Sequence, residues 1–166
     1  MTPARARGGG GPSDTDGHEA VLYTDGASFQ NPGPAGIGVV LVVDGDVVLT
    51  RSEDIGYATN NQAEYRALLK GLTAAIERGV KRVLVRSDSQ LLIRQMTGEY
   101  KVKSKALMAL RREAEGLKQQ FDEIAFEHVY RDFNELADEL AKQGAEAAQA
   151  RGVTGPRLQL FEDDDA

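Results

Sequence analysis

Four acidic residues stand where a carboxylate is costly unless it is used. Asp25 closes the apolar run Val21-Leu22-Tyr23-Thr24, and Asp88 follows Val83-Leu84-Val85-Arg86-Ser87. An acid at the end of a buried strand needs something to neutralise it. Glu64 lies near the start of a helical pattern whose Leu68, Leu72 and Ile76 fall towards its own face. Asp138 lies in the first turns of the last helical pattern, inside Asn134-Glu135-Leu136-Ala137-Asp138. Each acid alone has a local explanation. Asp25 suits a turn. Glu64 suits the N3 position of a capping box with Asn61 as N-cap. Asp88 suits an N-cap, and Asp138 complements a helix dipole. Together they point elsewhere. Asp25 and Asp88 end strands expected to be sheet neighbours, and α/β sheets place their sites in such crevices. Four converging carboxylates repel, and some are forced to protonate unless cations join them. With no cysteine and no histidine cluster, all-oxygen ligands favour Mg²⁺ or Mn²⁺ over zinc. Two such ions about 3.5–4 Å apart suit phosphodiester hydrolysis.

The elements that must position these acids follow from the pattern. Val21 to Thr24 reads as a strand, and Gly26 to Pro34 as a return of small and turn residues. Gly36 to Val43 is apolar enough for a central strand. Asp44-Gly45 is a hairpin turn signal, after which Asp46 to about Ser52 returns as a third strand, continuing towards Tyr57. Asn60-Asn61-Gln62 opens a helix that Gly79 closes. Val83 to Val85 is a short buried strand. Helices follow from about Ser89 to Met96 and from Lys103 to Gln120. Ile124 to Tyr130 is the last strand, and Asn134 to about Ala150 an alanine-rich last helix. The order βββαβααβα predicts an α/β fold. Its mixed five-stranded sheet has an antiparallel three-strand meander continued by parallel strands, with helices on its faces.

The chain of 166 residues is enough for one domain with a real core. Residues 1–18 carry no hydrophobic period and read as a disordered arm. Residues 19–150 form the domain, and 151–166 an acidic tail in which Leu158, Leu160 and Phe161 are apolar enough to dock. No segment approaches the ~18 apolar residues of a membrane span, and the N-terminus lacks a secretory signal's apolar centre. The expectation is a cytoplasmic monomer. The net charge of −6 argues at first against a nucleic-acid partner. Its distribution weakens that objection. Glu162 and Asp163-Asp164-Asp165 account for four of the negative charges, and Arg5 and Arg7 balance Asp14 and Asp16.

Four motifs now stand in order: Thr24-Asp25-Gly26-Ala27-Ser28 with Asn31-Pro32-Gly33-Pro34-Ala35-Gly36; Thr59-Asn60-Asn61-Gln62-Ala63-Glu64; Ser87-Asp88-Ser89-Gln90; and Asn134-Glu135-Leu136-Ala137-Asp138-Glu139-Leu140-Ala141. In these the sequence resembles type 1 ribonuclease H, which cuts the RNA strand of an RNA–DNA hybrid. The resemblance covers about residues 21–145. It implies the ribonuclease H-like fold. It also implies hydrolysis within the strand to 5′-phosphate and 3′-hydroxyl ends, two Mg²⁺ ions with Mn²⁺ as substitute, and the hybrid duplex as partner. Asp25, Glu64, Asp88 and Asp138 carry over as metal-binding catalytic acids. Asn31, Asn60, Asn61 and Gln90 carry over as minor-groove contacts, with the backbone of Gly26, Ala27 and Ser28 near the RNA 2′-hydroxyls.

Two features depart from the family pattern. Well-studied members place a histidine on a flexible loop before the last helix. Here His128-Val129-Tyr130-Arg131-Asp132-Phe133-Asn134 leaves no room for that loop. His128 falls within a strand, and Arg131 is the candidate helper for positioning phosphate or releasing product. The basic protrusion some members insert between the middle helices is also missing. Lys101, Lys103 and Lys105, with Arg111 and Arg112, are the candidates for binding the backbone. Two rivals remain. Another metal-dependent nuclease on the same fold fits less well with the glycine-rich Asp25 motif and the Asn60-Asn61 pair. A non-catalytic hybrid-binding module fits less well with four acids.

Overall fold

The computed structural model describes residues 20–155. The expectations for the arm at 1–18 and for Leu158, Leu160 and Phe161 lie outside the described residues. Five strands form one sheet: β1 Ala20–Ser28, β2 Gly33–Val43, β3 Asp46–Ala58, β4 Arg82–Ser87 and β5 Glu123–His128. Four helices accompany it: α1 Asn60–Glu77, α2 Gln90–Met96, α3 Lys105–Lys118 and α4 Glu135–Ala150. The sheet order is β3-β2-β1-β4-β5. β2 pairs antiparallel with both β1 and β3, while β4 pairs parallel with both β1 and β5. This is the expected mixed sheet in the expected element order.

The antiparallel half follows from local chemistry. Asp44 and Gly45 take φ of 51° and 87° between β2 and β3. Both central positions of a tight hairpin of the right twist need positive φ. β1 is longer than the sequence pattern suggests. Gly26, Ala27 and Ser28 are not a turn but strand, paired with Ile37, Gly36 and Ala35. The reversal is confined to residues 29–32.

The two faces of the sheet differ. Leu22, Val39, Leu41 and Val85 are fully buried with Tyr65, Leu68 and Leu72 of α1. Leu68 and Leu72 sit one turn apart, so one stripe of α1 meets the sheet. Full burial of each stabilises by roughly 1.5–3 kcal/mol. α3 closes this side with Leu107 and Ala114. α4 lies on the opposite face and buries only small residues: Ala137, Ala141, Gly144, Ala145 and Ala148. A Cβ on Gly36 or Gly38 of β2 would strike the α4 backbone, and one on Gly144 would strike Glu53 of β3. Small residues on both partners let the helix axis approach the sheet closely.

Some boundaries differ for identifiable reasons. α3 starts at Lys105, because the Ser104 hydroxyl accepts the Leu107 N–H at 3.2 Å and caps the helix there. β5 stops at His128 rather than Tyr130, and the chain turns through one 3-10 turn, Arg131–Phe133, into α4. Among the described residues no helix is long and apolar enough to cross a membrane.

Candidate active site

β1 and β4 run parallel, and their last registered pair is Thr24 with Ser87. The next residues are Asp25 and Asp88. Asp25 is therefore not at a strand end, as expected from the apolar run. It lies inside β1, still paired with Gly38 of β2, where β4 leaves its other side. Asp88 is not the N-cap of α2. The Ser89 hydroxyl fills that role, accepting the Leu92 N–H at 3.1 Å.

Glu64 is freed in the same way. The capping box of α1 is formed by Thr59 and Gln62, not by Asn61 and Glu64: Gln62 N–H donates to Thr59 Oγ1, and Thr59 N–H to Gln62 Oε1. Glu64 is 9% exposed and faces the acids of the sheet. Gly26 brings it there, since any Cβ at Gly26 would collide with the backbone of Ala63 and Glu64. The Gly26 N–H also donates to the Glu64 carboxylate. Carboxylate oxygens of Asp25, Glu64 and Asp88 lie within 4.8 Å of one another.

Asp138 stands just outside that triad, near enough to the Asp25 carboxyl to help raise its pKa. Two contacts fix its approach. Gly38, the cross-strand partner of Asp25, lies against Ala137 and Ala141 of α4. Asn134 donates from Nδ2 to the Thr24 carbonyl at 3.0 Å, while its own carbonyl accepts the Asp138 N–H. Asn134 thus ties the backbone before Asp25 to the turn that carries Asp138. The sequence pattern marks Asn134 only as a helix start. Its buried position, 2% exposed, depends on a contact 110 residues away.

The electrostatics are those of an acid cluster short of positive charge. Burial, then the neighbouring Glu64 and Asp88 charges, raises the pKa of Asp25. Burial and the Asp88 charge raise that of Glu64, against the opposing pull of hydrogen bonds from Asp25 and Gly26 and of the Arg131 charge. Glu64 Oε1 and Asp88 Oδ2 are sealed from solvent and accept no hydrogen bond. Buried orphan acceptors are rare and need an explanation. All-carboxylate donors with two orphaned oxygens fit hard divalent cations.

The other candidates fall into two groups. Ser28, Asn31 and Asn60 come together at the rim. Asn60 Oδ1 accepts the Ser28 N–H at 2.8 Å, and Asn31 Oδ1 accepts the Asn60 N–H at 2.8 Å. Both amide oxygens are thereby committed to holding the β1–β2 reversal against the start of α1. Asn61 is half-buried on the first turn of α1, and Ala27 is half-buried on β1. Gln90 is exposed at the start of α2, and Lys101 and Lys103 are exposed between α2 and α3. Arg111 does not belong with those lysines. It is half-buried on α3 and pairs with Glu115 at 3.6 Å. Arg131 Nε lies 3.5 Å from Asp88 Oδ2. His128 ends β5 beside Ser87, its ring edge-on to Tyr130 at 5.4 Å.

A sheet of this order with an acidic cluster where its parallel and antiparallel halves meet defines the ribonuclease H-like class. A family model described as reverse transcriptase-like matches residues 23–144. The chain is 42% identical over 148 residues to a ribonuclease HI of Halobacterium salinarum, covering 84% of this chain and 74% of that one. It is 45% identical over 132 residues to the bifunctional protein Rv2228c of Mycobacterium tuberculosis, covering 78% of this chain but only 36% of the relative. The chain thus spans about a third of the length of the mycobacterial relatives it matches. The solved ribonuclease H domain of the Rv2228c protein matches with a TM-score of 0.79 at 40% identity, covering 81% of this chain and 99% of that domain. A structure of LC11-RNase H1 in complex with an RNA/DNA hybrid matches with a TM-score of 0.74 at 39% identity, covering 78% of this chain and 99% of that one. The chain belongs to the type 1 ribonuclease H family.

Proposed function

We propose that this protein hydrolyses the RNA strand of RNA–DNA hybrids at internal positions, leaving 5′-phosphate and 3′-hydroxyl ends. The observation that carries the reading is the meeting of Asp25, Glu64 and Asp88 within 4.8 Å, with two buried oxygens lacking any partner, in a chain of this family. Those three acids and Asp138 would hold two Mg²⁺ ions, or Mn²⁺ in their place. When bound, such ions would supply activation of the attacking water and stabilisation of the leaving oxygen.

The chain's own residues do the rest. Asp25 is held on both sides, by β2 pairing and by Gly38-mediated packing of α4, so its oxygens are pre-positioned. Asn134 and Gly26 set the positions of Asp138 and Glu64. At the rim, Asn31 and Asn60 commit their oxygens internally and keep amide N–H donors for base edges and ribose hydroxyls. Asn61, Gln90 and the backbone of Gly26, Ala27 and Ser28 extend that surface along the minor groove. Contacts to 2′-hydroxyls distinguish RNA from DNA. Lys101 and Lys103 bind the phosphate backbone, and Arg131 positions a phosphate near Asp88.

The test is cleavage of a labelled RNA–DNA hybrid beside RNA–RNA and DNA–DNA duplexes, with and without EDTA. Only the hybrid should be cut, and EDTA should stop the cutting. Equal cleavage of all three duplexes, or cleavage that survives EDTA, overturns the reading.

A further inference from the structure

The sealed oxygen of Asp88 has one cation in front of it. Arg131 Nε stands 3.5 Å from Asp88 Oδ2, yet that oxygen accepts no hydrogen bond. A charge-assisted N–H to carboxylate bond is shorter, roughly 2.7–2.9 Å. The contact is therefore a charge pairing and not a locked bond. It is also lopsided. The Asp88 side chain is 8% exposed and that of Arg131 70%. The 3-10 turn carrying Arg131 contains no buried residue, so little packing holds the guanidinium in place. The acid is fixed and the cation is free to leave. The Lys142–Asp138 pair has the same 3.5 Å spacing but joins residues one turn apart on α4, the ordinary geometry of a helix-surface pair.

We propose that Arg131 is the cation that neutralises Asp88 in the metal-free protein, and that it thereby couples metal loading to binding of the nucleic-acid backbone. This rests on the reading of the four acids as metal ligands. A divalent ion and a guanidinium repel, and the orphaned oxygen of Asp88 can be paired with only one of them. An ion arriving at Asp88 displaces Arg131 towards solvent. The released guanidinium is a planar fork suited to a phosphate oxygen pair. Conversely, a backbone phosphate that draws Arg131 away uncovers Asp88 for the ion. Each event favours the other, and linkage makes the two effects equal in free energy.

The test uses the full chain. The Mg²⁺ concentration giving half the maximal rise in Tm is measured without nucleic acid for the wild type, Arg131→Ala, Arg131→Lys and Lys81→Ala. Arg131→Ala should lower that midpoint roughly three- to tenfold. Arg131→Lys keeps the charge and should stay near the wild type. Lys81→Ala removes an equal charge at the far end of β4, where Lys81 is exposed, and should change nothing. In a second arm, affinity for a short hybrid is measured with Ca²⁺ and with EDTA, over times in which the hybrid stays intact. The gain from Ca²⁺ should shrink in Arg131→Ala. An unchanged or higher Mg²⁺ midpoint in Arg131→Ala, or an equal fall in Lys81→Ala, overturns the proposal. If the wild type shows no Mg²⁺-dependent rise at all, the metal reading itself falls and takes the proposal with it.

Discussion

Asp25 opposes folding in the absence of cations. It is 3% exposed, and burial and its acidic neighbours raise its pKa, as they do that of Glu64. Both groups keep protons in the folded chain at pH values where an unfolded carboxyl, with a pKa of roughly 4, has lost them. The folded state then binds more protons than the unfolded one, so stability falls as pH rises from about 4 through neutrality. In EDTA, Tm should drop between pH 5 and pH 8, and Mg²⁺ should flatten that slope. A flat profile in EDTA would refute the cluster's electrostatics. Asp25→Asn should separate the two roles of this side chain. Cleavage should fall on the order of a thousandfold or more. An amide needs no proton taken up from solution on folding, so the change should stabilise the metal-free protein at pH 8 by about 1–3 kcal/mol, read as a Tm higher than that of the wild type. A lower Tm would mean that Asp25 contributes to the fold and not against it.

At the scale of elements, the site depends on how closely two helices approach one strand. Gly26 admits the start of α1 on one face of the sheet, and Gly38 admits α4 on the other. Gly38→Ala should push α4 away from β2, costing about 1–3 kcal/mol by overpacking. It should also move Asp138 from Asp25. A displacement of about 1 Å at such a site lowers the rate on the order of a hundredfold. Denaturant unfolding and the cleavage rate would be read together. A loss of stability with an unchanged rate would show that α4 does not position Asp138 through this contact. These glycines also mark what the sequence could and could not tell. The order of elements, the hairpin at Asp44-Gly45 and the meeting of Asp25 with Asp88 follow from local pattern and connection rules. The extent of β1 does not, because Gly26-Ala27-Ser28 has the composition of a turn and is kept in the strand by its pairing with β2. The α1 cap is not settled by spacing, because Asn61 with Glu64 and Thr59 with Gln62 both fit the capping-box rule and local sequence does not rank the two. The bond from Asn134 to Thr24 depends on tertiary placement, and no spacing rule reports it, whereas the pairing of Arg111 with Glu115 follows the i,i+4 spacing of a helix surface.

For the molecule as a whole, charge is distributed against its own average. The net charge of −6 opposes a polyanionic partner at long range, so the hybrid binding proposed above would rely on local contacts such as Lys101 and Lys103. Affinity should fall steeply with added salt, and Lys101→Ala with Lys103→Ala should reduce the slope of log affinity against log salt by about 1–2. Filter binding or fluorescence anisotropy at several ionic strengths measures that slope. An unchanged slope would move the backbone contacts to other residues. The acid cluster has a further consequence, for laboratory evolution. A screen that heats metal-free variants and keeps the survivors rewards any change that removes a buried negative charge. Asp25 and Glu64 are where such changes are most rewarded, and their amide replacements would accumulate first. Selection for robustness alone would therefore drive this chain towards hardy, inert descendants, unless magnesium or an activity requirement were kept in the screen.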